Sequence, residues 1–163
     1  MKKPKIFIAC DTTNLSKVRK IINNTLSTKI KIGYKFGLEF MNSKNGRKFL
    51  STLKNKIIFV DLKLNDTVNT MISAVKALKD LKINYLTIHI SSGLAALRAV
   101  KKIAGKTKII GVTTLTSLND NDLKQIGYKK SVKSLVTHQA KLAQKATLDA
   151  LVCSPYEVNA VRD

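Results

Sequence analysis

Short apolar runs rich in Ile, Val and Phe alternate along the chain with longer, lysine-rich segments of helical period, the pattern of successive βα units. The runs that read as strands are Ile6 to Cys10, Ile30 to Tyr34, Ile57 to Asp61, Tyr85 to His89, Lys108 to Val112 and Leu148 to Cys153. Each is followed by a segment that reads as a helix. Asn14 or Ser16 is placed to cap the helix reaching Thr25, Asn42 or Ser43 the one reaching Leu53, and Ser91 or Ser92 the one reaching Ile103. Between Thr67 and Leu81, Val68, Met71, Ile72, Val75, Leu78 and Leu81 recur at spacings of three and four, which predicts one apolar helical face turned to the sheet. Thr116 to Gly127 is polar and turn-rich and predicts a longer loop with a brief helical turn. Val132 to Ala146 then resumes the helical pattern.

No repeat, low-complexity linker or interior proline between Pro4 and Pro155 divides the chain, so residues 1–163 are expected to form a single domain. A succession of βα units suits an open doubly wound sheet or a barrel, and the pattern alone leaves both open. A closed (β/α)₈ barrel takes about 250 residues and at least about 200. This chain is shorter, and it stops at Val161-Arg162-Asp163, inside the sixth helix and without a capping glycine. The expectation is a truncated barrel of about six βα units, with open strand edges that leave the isolated piece poorly stable.

Composition, 44% hydrophobic and 25% charged, is that of an ordinary globular protein. No stretch approaches the roughly 18 apolar residues of a membrane span, and Met1-Lys2-Lys3-Pro4 opens no signal pattern, so no membrane partner and a cytoplasmic location are expected. Cys10 and Cys153 stand far apart in apolar segments and read as buried free thiols. The net charge of +20 raises a nucleic-acid partner as a possibility, but only Arg19, Arg47, Arg98 and Arg162 are arginines and no three basic residues stand together. Solvated lysine faces fit better than a nucleic-acid surface.

Candidate chemistry centres on Phe59-Val60-Asp61-Leu62-Lys63-Leu64-Asn65-Asp66. On a strand, residues 61 and 63 share a face, which sets a carboxylate beside an amine. An apolar strand tolerates charge at its end or in a functional site, since unpaired buried charge is costly. Alone, the tripeptide also fits a surface salt bridge at a strand exit. Other strands end in polar groups as well: Ala9-Cys10-Asp11, Gly33-Tyr34-Lys35, His89, and Thr113 and Thr114 with Thr116 beyond. In a barrel, strand C-terminal ends form the catalytic rim.

Asp61-x-Lys63-x-x-Asp66 followed by Thr67-Val68-Asn69-Thr70 resembles the Asp-x-Lys-x-x-Asp-Ile-Pro-Asn-Thr signature of the orotidine 5'-phosphate decarboxylase family. Ala9-Cys10-Asp11, Tyr34-Lys35-Phe36-Gly37-Leu38-Glu39-Phe40, Gly111-Val112-Thr113-Thr114-Leu115-Thr116-Ser117 and Val152-Cys153-Ser154-Pro155-Tyr156-Glu157-Val158 resemble further family blocks in family order. The resemblance implies a (β/α)₈ barrel that converts orotidine 5'-phosphate to UMP in pyrimidine biosynthesis without metal or cofactor. It makes Lys63 the proton donor to the pyrimidine ring and sets Asp61 against the substrate carboxylate. It assigns Asp11 and Lys35 to the ribose hydroxyls, with Lys35 also in the charged array, Thr116 to the pyrimidine, and Thr70 to substrate binding. Asp66 and Thr67 are implied to serve a neighbouring subunit's site, hence a homodimer.

Asp11 also fits a helix cap, Lys31 rivals Lys35 through its similar Lys-Ile-Gly context, and His89 reads as a supporting or core histidine rather than a catalyst. The chain departs from the family in having Thr67-Val68 for Ile-Pro, and the family's phosphate-binding residues, which follow strands seven and eight, are absent. The nearest rivals are the magnesium-dependent sugar-phosphate decarboxylases and hexulose-phosphate synthases of the same superfamily, which typically carry a glutamate where Lys35 stands. An inactive barrel fragment with only a binding or assembly role is the alternative of a different class.

Overall fold

A computed structural model describes residues 6–26 and 30–162. The readings at Met1 to Pro4 and at Asp163 lie outside these residues. Strands β1 (Ile6–Ala9), β2 (Ile32–Gly37), β3 (Ile57–Leu64), β4 (Tyr85–His89), β5 (Lys108–Val112) and β6 (Ala150–Val152) stand in one sheet in sequence order. The intervening helices are α1 (Leu15–Asn24), α2 (Leu38–Asn42), α3 (Gly46–Thr52), α4 (Val68–Ala77), α5 (Gly93–Ile103), α6 (Asp120–Gln125), α7 (Val132–Lys145) and α8 (Val158–Arg162). The chain falls into two compact units, Met1–Leu62 with Ala77–Leu86 and Lys63–Lys76 with Thr87–Asp163.

In the first unit β1 pairs with β2 and β2 with β3, both parallel, in a register that sets Ala9 opposite Lys35 and Gly37 opposite Asp61. This pairing explains why β2 starts and ends later than its apolar run predicts: the ladder to β3 continues through Gly37, so partners rather than local propensity set the strand's end. Gly33 is required by close approach, because a Cβ there would lie 2.4 Å from Cε1 of Phe7. The Phe7 ring meets Phe59 and Tyr85 edge-on, with centroids 5.1 and 5.2 Å apart. A second apolar group joins Phe36, Phe40 and Phe49, and Phe36 and Phe40 are fully buried. Each such side chain contributes about 1.5–3 kcal/mol on leaving water.

The helix expected from Asn42 or Ser43 to Leu53 is instead two helices separated by a turn. Asn42 and Ser43 close α2 rather than open a helix: Asn42 Nδ2 donates to Leu38 O at 2.8 Å and Ser43 Oγ to Phe40 O at 2.7 Å. Both side chains thus add a bond to carbonyls of α2, and the Ser43 backbone N–H also donates to Phe40 O at 3.2 Å. The chain then turns so tightly at Gly46 that an added Cβ would sit 1.8 Å from Phe40 O, which fixes glycine at the start of α3. Asn14 does cap α1, accepting from Lys17 N at 3.1 Å.

In the second unit β5 and β6 pair in parallel, with Ile110 opposite Ala150. Strand β6 begins two residues later than its apolar run predicts. Thr147 takes φ +56° and Leu148 N–H bonds back to Ala143 O, so this stretch ends α7 before the strand can form. The turn-rich segment from Thr116 contains α6, opened by a capping box between Asn119 and Asp122. Leu97, Ile109, Leu123 and Val136 are among this unit's buried side chains.

On the helical face predicted from Thr67 to Leu81, Met71, Val75, Leu78 and Leu81 are buried and Val68 and Ile72 half-buried. Helix α4 stops at Ala77, and a 3-10 turn over Lys79–Leu81 carries the last of them. Cys10 is buried, but Cys153, read as buried from its apolar context, is half-buried just after the short β6. No helix among the described residues is long and apolar enough to cross a membrane.

Candidate active site

Lys35 projects from β2 between two carboxylates. Its neighbours across the ladder are Ala9 and Phe59, and two residues farther along those flanking strands stand Asp11 and Asp61. Positions two apart share a face, so the register aims both carboxylates to the side on which Lys35 lies. Lys35 Nζ is 3.9 Å from Asp11 Oδ2 and 3.5 Å from Asp61 Oδ2. The side chain of Asp61 is 11% exposed, that of Lys35 28% and that of Asp11 56%, so the array runs from a nearly buried carboxylate to an open one.

The backbone keeps this geometry in place. Cys10 N donates to Lys35 O at 2.8 Å, extending the ladder one residue past β1 and delivering Asp11 just beyond it. Cys10 itself is held protonated: burial pushes its thiol up to about 11, the Asp11 carboxylate adding and the Lys35 ammonium opposing. Lys31, the rival to Lys35, precedes β2 at the strand's opposite end, and of these two lysines it is Lys35 that lies beside the carboxylates.

In the second unit Lys63, half-buried near the end of β3, takes φ +49°. Its backbone is not extended, so period two does not fix its side-chain direction, and the inference that residues 61 and 63 share a face does not carry through this residue. Lys63 N–H donates to Thr87 Oγ1 of β4 at 2.9 Å. Two residues on, Asn65 Oδ1 accepts from Ser92 Oγ at 3.0 Å, and Ser92 Oγ also lies 2.8 Å from His89 O. Ser92 therefore makes no side-chain cap bond to α5, although it occupies the cap position.

Asp66, Thr67 and Thr70 form a second, exposed cluster where α4 begins. Thr67 N donates to Asp66 Oδ1 at 2.6 Å, and the Thr67 and Thr70 hydroxyls lie 3.0 Å apart. The Thr67 N–H first, then the Thr70 hydroxyl and least the Thr67 hydroxyl, hold the Asp66 carboxyl below its ordinary range, with desolvation opposing. Thr116 is exposed in the loop after β5, while Thr113 and Thr114 are buried, bonded to Val152 O at 3.0 Å and to Gln139 Oε1 at 3.2 Å. His89 is half-buried at the end of β4.

Thr87 is the site-adjacent residue that the sequence did not single out. Its one signal was a hydroxyl in the middle of the apolar run Tyr85 to His89, where it is fully buried.

The chain resembles known proteins along most of its length. The orotidine 5'-phosphate decarboxylase / HUMPS family model matches residues 4–163. Orotidine 5'-phosphate decarboxylase from the Wolbachia of Brugia malayi is 41% identical over 159 residues, covering 96% of this chain and 70% of the relative. The enzyme of that name from Sphingopyxis alaskensis is 40% identical over 163 residues, with the same coverage of both. Among solved structures, orotidine 5'-phosphate decarboxylase from Lactobacillus acidophilus superposes with a TM-score of 0.82 at 30% identity over 99% of this chain and 75% of that one. An uncharacterized conserved protein from Geobacillus kaustophilus gives 0.83 at 25% identity, over 96% and 77%. The strand and helix succession is accordingly that of a (β/α)₈ barrel, of which six βα units are present. Sequence and fold agree along nearly the whole chain, and it belongs to the orotidine 5'-phosphate decarboxylase / HUMPS family.

Proposed function

We propose that the chain decarboxylates orotidine 5'-phosphate to UMP, with Lys63 as the proton donor. The observation that carries this reading is the Lys35 ammonium held between Asp11, just past β1, and Asp61, in the C-terminal half of β3, with Lys63 next but one along the chain from Asp61. Relatives bearing the decarboxylase name at 40–41% identity support the same activity.

The reaction breaks the bond between the pyrimidine ring and its carboxylate. Carbon dioxide leaves, and the electron pair stays on the ring carbon. Lys63 then gives that carbon a proton, which leaves a neutral amine to be reprotonated from solvent. An ammonium ion placed where negative charge develops stabilises the transition state more than the bound substrate, which is the condition for raising kcat. Asp61 lies against the departing carboxylate in this reading. Asp11 and Lys35 hold the ribose hydroxyls, and Thr116 contacts the ring. Asp66 and Thr67, with Thr70 beside them, serve the site of a second copy in a homodimer. The exposure of Asp66, Thr67 and Thr70 suits a surface that a second copy covers.

Lys35 occupies the position where the magnesium-dependent branch of the superfamily typically carries a glutamate, which favours the decarboxylase of orotidine 5'-phosphate over that branch. The test is conversion of orotidine 5'-phosphate to UMP by the protein carrying its full encoded sequence, in the presence of EDTA. Formation of UMP is the expected result. Turnover only of a ribulose 5-phosphate-type substrate, and only with magnesium, contradicts it.

A further inference from the structure

Where the chain leaves β3 it adopts a conformation that its own residue disfavours. At φ +49°, Lys63 lies in the left-handed region, which crowds its Cβ against the backbone. Such a conformation persists only where the surroundings over-determine it, and it collects at functional sites. Two side chains from β4 and the turn after it supply that constraint. Thr87 Oγ1 accepts the Lys63 N–H at 2.9 Å, and Ser92 Oγ bonds the Asn65 side chain two residues downstream at 3.0 Å.

Thr87 is fully buried in a strand that is otherwise apolar between Leu86 and Ile88. Packing alone does not call for a hydroxyl there, since valine fills the same space and a buried hydroxyl is costly unless bonded. What the oxygen adds is an acceptor for the Lys63 N–H, which it meets at 2.9 Å, and backbone donors away from water are as a rule matched.

We infer that Thr87 is a positioning residue for Lys63, holding by its hydroxyl the left-handed turn that sets the direction in which the lysine side chain leaves β3. This rests on the proposed role of Lys63 as proton donor. A lysine ammonium stands at the end of four methylenes, so a change of φ at its Cα displaces it by several times the tolerance of proton transfer, which requires heavy atoms about 2.6–3.2 Å apart. Misplacement by about 1 Å costs on the order of 10²-fold in rate. Thr87 itself touches no substrate in this scheme.

The experiment compares wild type, Thr87→Val, Thr87→Ser and Lys63→Ala for kcat and KM with orotidine 5'-phosphate, and follows exchange of the Lys63 amide proton by NMR. Thr87→Val is expected to lower kcat by about 10- to 100-fold with KM within about threefold. It is also expected to speed Lys63 amide exchange by about tenfold or more while β5 amides keep wild-type protection. Thr87→Ser, which retains the oxygen, restores both. Wild-type kcat in Thr87→Val, with Lys63→Ala inactive, overturns the positioning role and leaves the reading of Lys63 standing. A loss that serine does not restore, or one accompanied by equal loss of protection in β5, assigns Thr87 to packing and also overturns the inference. Full turnover by Lys63→Ala, or none by wild type, overturns the functional reading instead. The exchange measurement then decides alone: faster exchange in Thr87→Val supports the hold on Lys63, and unchanged exchange overturns it.

Discussion

Lys35 Nζ lies 3.5 Å from Asp61 Oδ2, and the carboxylate is the deeper of the two, 11% exposed against 28%. Taking away the ammonium strips a nearly buried carboxylate of a charged neighbour, whereas taking away Lys31 removes a charge that does not reach it. Lys35→Met is therefore expected to lower unfolding stability by about 1–2 kcal/mol in urea titrations, the partial exposure of Lys35 keeping the cost modest. Its kcat/KM is expected to fall by about 10²-fold. Lys31→Met should change stability by less than about 0.5 kcal/mol.

The Asp66 carboxyl titrates below its ordinary value of 3.8 because the Thr67 N–H and the Thr70 and Thr67 hydroxyls favour the charged form. A group depressed in the folded state contributes stability that is present above about 3.8 and lost as the pH falls through the folded value. Thr70→Val is expected to move the Asp66 carboxyl part of the way back toward 3.8 in a ¹³C NMR titration, the Thr67 N–H retaining the larger share.

Cys10 gives the opposite sign at the alkaline end. Its thiol stays protonated to about 11 in the folded chain, against 9.0 for an unperturbed thiol, chiefly through burial and secondarily through Asp11. Between these values the unfolded chain has released a proton that the folded chain keeps, so this group's contribution falls as the pH rises from about 9 to 11. Cys10→Ala should show a smaller alkaline loss of stability over that window. In the native wild-type protein, Cys10 should react with a thiol reagent at pH 8 far more slowly than half-buried Cys153.

If Asp66 serves a neighbouring subunit's site, two inactive variants should repair one another. Mixed dimers of Lys63→Ala with Asp66→Ala contain one site that has both residues and one that has neither. Activity is expected to appear on mixing and subunit exchange. Mixing without recovery, while each variant still dimerises, contradicts the shared site.

Much of this was legible from residue type and spacing, and the exceptions share a cause. Strands β4 and β5 span the residues their apolar runs mark, Tyr85–His89 and Lys108–Val112. Strand β2 overran its run because its end is fixed by Asp61 on the neighbouring strand. Asn42 and Ser43 look like helix openers, but they serve as closers once Leu38 begins α2 against expectation. At the site, Asp11, Lys35 and Asp61 were readable because charge at a strand end is chemically conspicuous. Thr87 was not, since its importance lies in a bond to a backbone N–H, and a left-handed φ at Lys63 leaves no mark in residue type.

The role given to Lys63 is tested most directly by the rate of UMP formation from orotidine 5'-phosphate by Lys63→Ala, beside wild type, with EDTA present and folding checked by circular dichroism. Loss of the proton donor and of its charge should lower kcat by at least about 10³-fold. A folded Lys63→Ala protein that keeps its rate within about tenfold of wild type, well short of the loss expected on removing a proton donor, contradicts that role.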